Sequence, residues 1–325
     1  MSALVPLSHP IPPSLMLVAF DFTQQRHGFS PRQSENNKVL NQYSFFLGME
    51  FNSEHEYAGY IKDALSAPVP GTALAGLIET AVVKAAEGSV AVLFSGGIDS
   101  SLIAFILKKH NIEFTCYTTA LVEQGAKLPE DLVWAEKAAK TLGFKHEIAK
   151  ISIKDLEKEL PSIISIIGSS DPVKVGVAAT LYFSLKLIKE GTVYSGLGSE
   201  EIFAGYQRHK EAKDVDEECR KGLYSMYQRD LERDSRLAEH FKVRLALPFM
   251  DAEVIRKAIS MPDKIEPMEK MPLRKAALEL GLPEEFALRK KKAAQYGSKV
   301  DWAIGKLGRQ KRLSKKDYLA SIIRT

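Results

Sequence analysis

The sequence predicts an α/β protein built on a doubly wound, mostly parallel sheet, with a helical C-terminal part. Three observations predict it. Apolar runs of strand length alternate with helical periodicity from about residue 72 to residue 195. A Gly-Gly turn sits directly between one such run and the next helix. Beyond about residue 208 the pattern is helical, with no convincing strand.

Taken in order, residues 1–70 are rich in Pro, Ser and Asn and read as a short, reduced β-rich N-terminal region. Its strand candidates are 15–22 and 43–51. A proline-bounded linker at 67–71 then opens the main domain, 71–325. Leu74, Leu77, Ile78, Ala81, Val82 and Ala85 recur at helical spacing, and Gly88 follows as a C-terminal stop. Residues 90–94 are continuously apolar, as in a strand buried on both faces. A helix over 102–107, a strand over 114–119, a helix over 131–142 stopped by Gly143 and a strand over 146–151 continue the alternation. A helix over 178–188 and a strand over 191–195 complete it.

Composition narrows the class. Hydrophobic residues make up 45% and charged residues 26% of 325, the balance of a globular protein. A net charge of +4 suits anionic ligands such as nucleotides, without marking the chain as a nucleic-acid binder. The two cysteines, Cys116 and Cys219, form no CxxC, so neither a zinc site nor a redox pair is indicated. Without a disulfide framework, a signal-peptide pattern or an apolar run long enough to cross a bilayer, the expected location is cytoplasmic, with no membrane partner.

The chemistry lies first in Ser95-Gly96-Gly97-Ile98-Asp99-Ser100-Ser101. A loop between strand and helix aims backbone N–H groups and the helix's positive end at an anion. Gly96 and Gly97 let a phosphate approach the main chain. Ser95, Ser100 and Ser101 add hydroxyl donors, and Asp99 offers a carboxylate to magnesium. The Gly-Lys-Ser/Thr ending of a Walker loop is absent. The segment instead resembles the SGGxDSS loop (PP-loop) of the ATP-pyrophosphatases, an adenine nucleotide alpha hydrolase-like fold. That class cleaves ATP between the α and β phosphates and includes GMP, NAD and asparagine synthetases and tRNA-modifying enzymes.

A second constellation selects among them. Ser195-Gly196-Leu197-Gly198-Ser199-Glu200-Glu201-Ile202-Phe203-Ala204-Gly205-Tyr206 resembles the SGEGSDELFGGY motif of asparagine synthetase. Leu247-Pro248-Phe249-Met250-Asp251 is similar to that family's PFLD segment. Lys270-x2-Leu273-Arg274 and Arg289-Lys290-Lys291 are similar to its K-x2-LR and R-x-K stretches. The resemblance covers roughly residues 72–300, without an N-terminal glutaminase, and feels closest to the asparagine synthetase domain-containing branch.

What it implies is an AMP-forming carbon–nitrogen ligase that uses ATP and Mg2+. It would adenylate a carboxylate, aspartate by default, and pass the acyl group to ammonia or an amine. Asp99 and Glu200 would hold the metal. Leu93 and Thr119 would flank adenine, while Ser195 and Gly196 would lie near ribose and the α-phosphate. Lys291 would stabilise developing charge. A separate glutaminase subunit and a homodimer are the expected partners.

Some positions depart from the motif. Ser2 stands where glutamine-dependent enzymes have their catalytic cysteine. Leu197 replaces a glutamate thought to act on substrate or nucleophile. Arg244 and Ala246 replace the Glu and Arg of E-x-R-x-PFLD, which suggests a more acidic acyl substrate. Two other readings stay open: a nucleotide-binding regulatory protein without turnover, and a tRNA-modifying enzyme using the basic run 309–316, otherwise a solvated tail. Asp171 is expected either to cap a helix or to face substrate. Glu200 and Glu201, outside the motif context, would read as an exposed acidic helix start.

Overall fold

Parallel strands buried on both faces must be covered by helices above and below, and the predicted runs take that form. A computed structural model describes residues 45–46, 49–51, 53–125, 127–290 and 297–323, all inside one unit spanning Leu40–Thr325. Among the described residues seven strands form one sheet: β1 (Phe45–Phe46), β2 (Met49–Glu50), β3 (Val90–Leu93), β4 (Phe114–Leu121), β5 (His146–Ile151), β6 (Thr192–Tyr194) and β7 (Arg244–Ala246). Their order is β2-β1-β7-β6-β3-β4-β5, and every neighbouring pair is parallel except β1 with β2.

Val90 is in register with Phe114 on one side and Thr192 on the other. The chain therefore leaves β3 toward β4 and β5, then returns to lay β6 against the opposite side of β3. Direction reverses at β3, so the loops that follow β3 and β6 emerge side by side at the carboxyl edge. That crevice is where open parallel sheets take ligands.

The helices in the first half are α1 (Glu54–Ser66), α2 (Leu74–Lys84), α3 (Ile98–Lys109), α4 (Glu130–Leu142), α5 (Ile153–Ile167) and α6 (Pro172–Leu185). Those after β6 are α7 (Ser199–Ile202), α8 (Gln207–Glu211), α9 (Val215–Met226), α10 (Glu232–Phe241), α11 (Ala252–Ser260), α12 (Met271–Glu279), α13 (Glu284–Ala287), α14 (Val300–Gln310) and α15 (Lys315–Ile322). α2, α3, α12 and α13 pack together, and so do α5, α6, α10 and α14. Right-handed crossovers running in opposite directions from β3 put these groups on opposite faces of the sheet. This is the doubly wound arrangement expected from the alternation.

Local signals set the helix ends. The Ser152 hydroxyl accepts from the Asp155 N–H while the Asp155 carboxylate accepts from the Ser152 N–H, a reciprocal cap that starts α5. Gly143 ends α4 at φ 66°, where its missing Cβ removes the left-handed penalty. α6 begins at Pro172, earlier than its apolar periodicity indicates, because Asp171 caps it and proline suits the first turn.

Four expectations change. β7 is a strand in the region read as wholly helical: three residues beginning with Arg244 carry too little periodicity to register, and pairing with β6 and β1 supplies the order. The linker at 67–71 is no domain boundary. α1 packs into the main core, with Tyr57 donating to the Leu223 carbonyl at 2.8 Å and Tyr60 to that of Met250 at 2.6 Å. The basic run 309–316 is solvated as expected but is no tail; it turns between α14 and α15, where Tyr318 and Leu319 are buried. The strand expected at 43–51 is divided into β1 and β2, and the one expected at 15–22 lies outside the described residues.

Candidate active site

The glycine loop takes its shape from the packing beneath it. Gly96 has φ +63°, and a Cβ there would come within 2.7 Å of the Trp134 backbone on α4, so only glycine fits. Ile98 starts α3, which puts Asp99, Ser100 and Ser101 in its first turn. The Ser95 N–H donates to the Ser100 hydroxyl at 3.3 Å, closing the loop on itself. From 194 residues away, Arg289 Nη1 donates to the Ser95 carbonyl at 2.8 Å. Its Nη2 lies 3.1 Å from Asp131, and its guanidinium sits 5.0 Å from the centre of the Trp134 ring.

The second loop follows β6, whose last residue, Tyr194, pairs with Val92. The Ser195 N–H donates to the Ala246 carbonyl, and the Ser195 hydroxyl accepts from the Leu197 N–H at 3.3 Å. A Cβ on Gly196 would lie 2.7 Å from the Asp99 Cβ, so this glycine lets the two loops touch.

Between the loops stands Lys270, whose Nζ is 2.9 Å from both oxygens of Asp99, 2.7 Å from Glu200 Oε1 and 3.1 Å from the Ser199 hydroxyl. Burial disfavours the ammonium. The Asp99 and Glu200 carboxylates outweigh that cost and hold its pKa above the usual lysine range. Lys270 caps α12 in the left-handed region at φ 62°, and the Arg274 N–H returns to its carbonyl at 3.0 Å.

These residues line a cavity of about 840 Å3. Its lining includes an apolar and hydroxyl set, Leu93, Thr119, Leu181 and Ser184, with Thr119 and Ser184 hydrogen-bonded at 2.8 Å. Asp99, Ser95, Ser100, Glu200 and Lys270 also line it. A third set, Tyr206, Arg229, Asp230 and Arg233, is mostly charged. A π-helical turn, Tyr227–Leu231, presents Arg229 and Asp230 there. Arg229 pairs with Glu201 and, at 2.6 Å, with Asp230; Arg233 pairs with Asp230 at 3.1 Å and Asp234 at 2.7 Å.

Of the residues singled out from sequence, Leu93, Ser95, Asp99, Ser100, Thr119, Ser195, Gly196 and Glu200 share this cavity wall. Ser101 does not: it is fully buried in α3, its Oγ without a partner among the described residues. Gly97 lies at the start of α3, beside the wall. Lys291 lies outside the described residues. Asp171 caps α6, accepting from the Val173 and Lys174 N–H groups at 3.0 and 2.9 Å, and it also lines the cavity. Glu201 is no exposed helix start. It is fully buried, and burial, partly offset by Arg229, pushes its carboxyl up to about 7.

Sequence reasoning quoted Lys270 and Arg289 within motifs but assigned neither a role. It missed Arg229, Asp230 and Arg233 altogether, because no local pattern marks a π-helical turn as a pocket wall.

The comparisons with known proteins follow the same boundaries. The family model described as asparagine synthase matches residues 73–221 and 210–318. The chain belongs to the asparagine synthase family. A candidate glutamine-hydrolyzing asparagine synthetase of Methanocaldococcus jannaschii is 30% identical over 285 residues, 74% of this chain and 51% of that protein. The glutamine-hydrolyzing asparagine synthetase of Gallus gallus is 28% identical over 239 residues, 68% of this chain and 42% of its own. The chain thus spans about half the length of the curated relatives it matches. Among solved structures, an NMN synthetase of Francisella tularensis covers 79% of this chain at 16% identity, with a TM-score of 0.28. The architecture therefore rests on the strand order, not on that overlap.

Set against the asparagine synthase motif, two departures resolve differently. Leu197 lines the cavity, so its replacement of glutamate falls inside the site. Arg244 does not touch the site. It starts β7 at the opposite edge of the sheet, donating to the Ala85 carbonyl at 2.7 Å and the Thr192 hydroxyl at 3.2 Å. Ala246 is buried within the same strand. The acidic-substrate reading that rested on Arg244 is therefore corrected: the residue closes a strand end.

The donor set suits a magnesium-bound polyphosphate. Asp99 and Glu200 already converge on one cation, and no group of three or more His, Cys, Asp or Glu side chains that could hold a metal ion occurs among the described residues. Two carboxylates leave most of an octahedral shell to phosphate oxygens and water, as Mg2+ prefers.

Proposed function

We propose that this protein is an ATP-dependent amide-forming ligase that adenylates a carboxylate, releases pyrophosphate and passes the acyl group to ammonia or an amine. The observation that carries this reading is the junction of Asp99, from the loop after β3, with Glu200, from the loop after β6, through Lys270. A triphosphate laid across the switch point meets a loop of backbone N–H groups, two carboxylates for a metal and one buried ammonium.

In this reading adenine lies against Leu93 and Thr119, with ribose and the α-phosphate beside Ser195 and Gly196. Gly96, Gly97 and Ser100 cradle the β and γ phosphates, with Ser95 and Ser101 bracing the loop. The acyl substrate lies toward Tyr206 and Arg229. Its carboxylate oxygen attacks the α-phosphorus, the bond to the β-phosphate oxygen breaks, and pyrophosphate leaves with the charge that Lys270 and Lys291 offset. Asp99 and Glu200 would hold Mg2+, which when bound would supply electrostatic stabilisation of the leaving pyrophosphate. The amine then attacks the acyl carbon and AMP departs. Positioning and charge neutralisation carry most of such a reaction. Aspartate is the default acid, the nitrogen arrives free or from a separate glutaminase subunit, and a cytoplasmic homodimer is the expected form.

Exchange of labelled pyrophosphate into ATP, measured across a panel of amino acids and other carboxylic acids, tests the adenylation. Exchange with one acid supports it; no exchange with any acid, under conditions where ATP binds, overturns it. Leu197 favours a second reading, a nucleotide-binding protein without turnover, since leucine neither accepts nor donates a proton. Tight binding of ATP with no AMP formed, with every acid and amine tried, is its signature.

A further inference from the structure

The four oxygens around Lys270 Nζ use all three ammonium protons: one shared between the two Asp99 oxygens, one to Glu200, one to Ser199. The side chain is only 5% exposed. Its backbone sits in the left-handed region, which a lysine occupies only when its surroundings fix it there. Gly205 keeps this space open, since a Cβ at that position would meet the Glu200 carboxylate and lie 2.5 Å from Lys270 Cε. Lys270 is thus seated deliberately on the two carboxylates proposed to hold the metal.

We propose that Lys270 is an exchangeable internal counter-cation that occupies the metal's carboxylates until a polyphosphate draws it away, so that metal and nucleotide enter together. The inference rests on the reading of Asp99 and Glu200 as metal ligands. A divalent ion needs carboxylate oxygens at about 2.0–2.1 Å, and those oxygens are already committed to the ammonium. Two carboxylates with one ammonium carry a net charge of −1. Adding a divalent ion raises this to +1, and two cations on the same oxygens repel. A phosphate chain removes the conflict by giving the ammonium new oxygens while the metal takes the old ones. The Glu200 side chain is 38% exposed, which leaves it room to swing from ammonium to metal. Lys270 is in this sense a positioning residue that makes metal binding depend on nucleotide, and each ligand should tighten the other by the same factor.

The test titrates the full-length protein with Mn2+, alone and with α,β-methylene-ATP. Water-proton relaxation is the readout because it separates protein-bound from nucleotide-bound Mn2+. In the wild type, the analogue tightens protein-bound Mn2+ by about tenfold or more. In Lys270→Met, Mn2+ alone binds about tenfold tighter than in the wild type, and the analogue adds little. Lys270→Gln, of similar length, behaves the same way and serves if Lys270→Met does not fold. A purely structural role for Lys270 would weaken Mn2+ binding, not strengthen it. The proposal is overturned if either folded variant binds Mn2+ alone no better than the wild type while Asp99→Asn abolishes the analogue-dependent Mn2+. If Asp99→Asn leaves that Mn2+ unchanged, the metal reading itself fails and takes the exchange with it.

Discussion

Arg289 reaches back 194 residues to hold the Ser95 carbonyl at 2.8 Å while its other nitrogen meets Asp131 at 3.1 Å. The glycine loop after β3 is therefore braced by a residue far along the chain. All three groups sit on the cavity wall, and the guanidinium also stacks on Trp134. Arg289→Ala should cost about 3 kcal/mol of stability, since a buried ion pair with Asp131 is broken. It should also weaken ATP binding about tenfold through the loosened loop. Chemical denaturation and calorimetry with ATP check the two effects separately.

Gly96→Ala should act on the same loop by a different route. The φ of +63° costs an L-residue about 1–2 kcal/mol, and the added methyl would press on the Trp134 backbone. Loss of ATP binding in a protein that still melts cooperatively is the expected result; unchanged affinity would mean the phosphates lie elsewhere.

Leu197→Glu restores the acid of the asparagine synthetase motif at the cavity wall. Nucleotide affinity should stay within about threefold, because Asp99, Glu200 and Lys270 are all left in place. Amide formation from aspartate and ammonium should rise about tenfold, a barrier change of about 1.4 kcal/mol. Quantifying asparagine by mass spectrometry decides it.

Arg244→Ala should lower stability by about 1–2 kcal/mol, for the hydrogen bonds lost at the Ala85 carbonyl and the Thr192 hydroxyl. KM values for ATP and the acid should not move, as this side chain lies at the edge of the sheet away from the cavity. A changed acid preference would reinstate it as a substrate contact.

His209 is fully buried, with Nδ1 accepting the Tyr206 N–H at 3.0 Å. Burial, with Arg208 and Arg229 adding to it, pushes the imidazole down to about 4. The unfolded chain, with an ordinary histidine near 6.5, binds the proton more readily, so stability rises with pH in between. The contribution is complete above about 6.5 and is lost as pH falls toward 4. On the order of 3 kcal/mol is at stake. Melting temperatures across pH 4.5–7.5 should show a shallower acid-side slope in His209→Asn than in the wild type.

Much of this site could be read from local signals. The Gly-Gly turn between an apolar strand and a helix, with Ser and Asp beside it, is legible as a loop that turns its backbone N–H groups toward a helix start. Backbone N–H direction and the missing Cβ atoms are properties of the segment. The alternation from residue 72 to 195 likewise dictates a parallel sheet, because strands that are apolar throughout need cover on both faces.

Other features are decided by groups far apart in sequence. Arg244 looked like a substrate contact because a motif placed it there; pairing with Thr192 shows it closing the bottom of a strand. Glu201 looked like a solvated helix start, and the packing of α9 and the π-helical turn buries it against Arg229. Lys270 carried no signal beyond the K-x2-LR similarity, yet its left-handed backbone and its span to Asp99, 171 residues earlier, make it the centre of the site. The sequence by itself determined the alternation of strands and helices from residue 72 to 195 and the glycine loop between β3 and α3. Only the tertiary structure decided which charges meet, because the energy of a buried charge depends on the partners that folding brings within hydrogen-bonding distance.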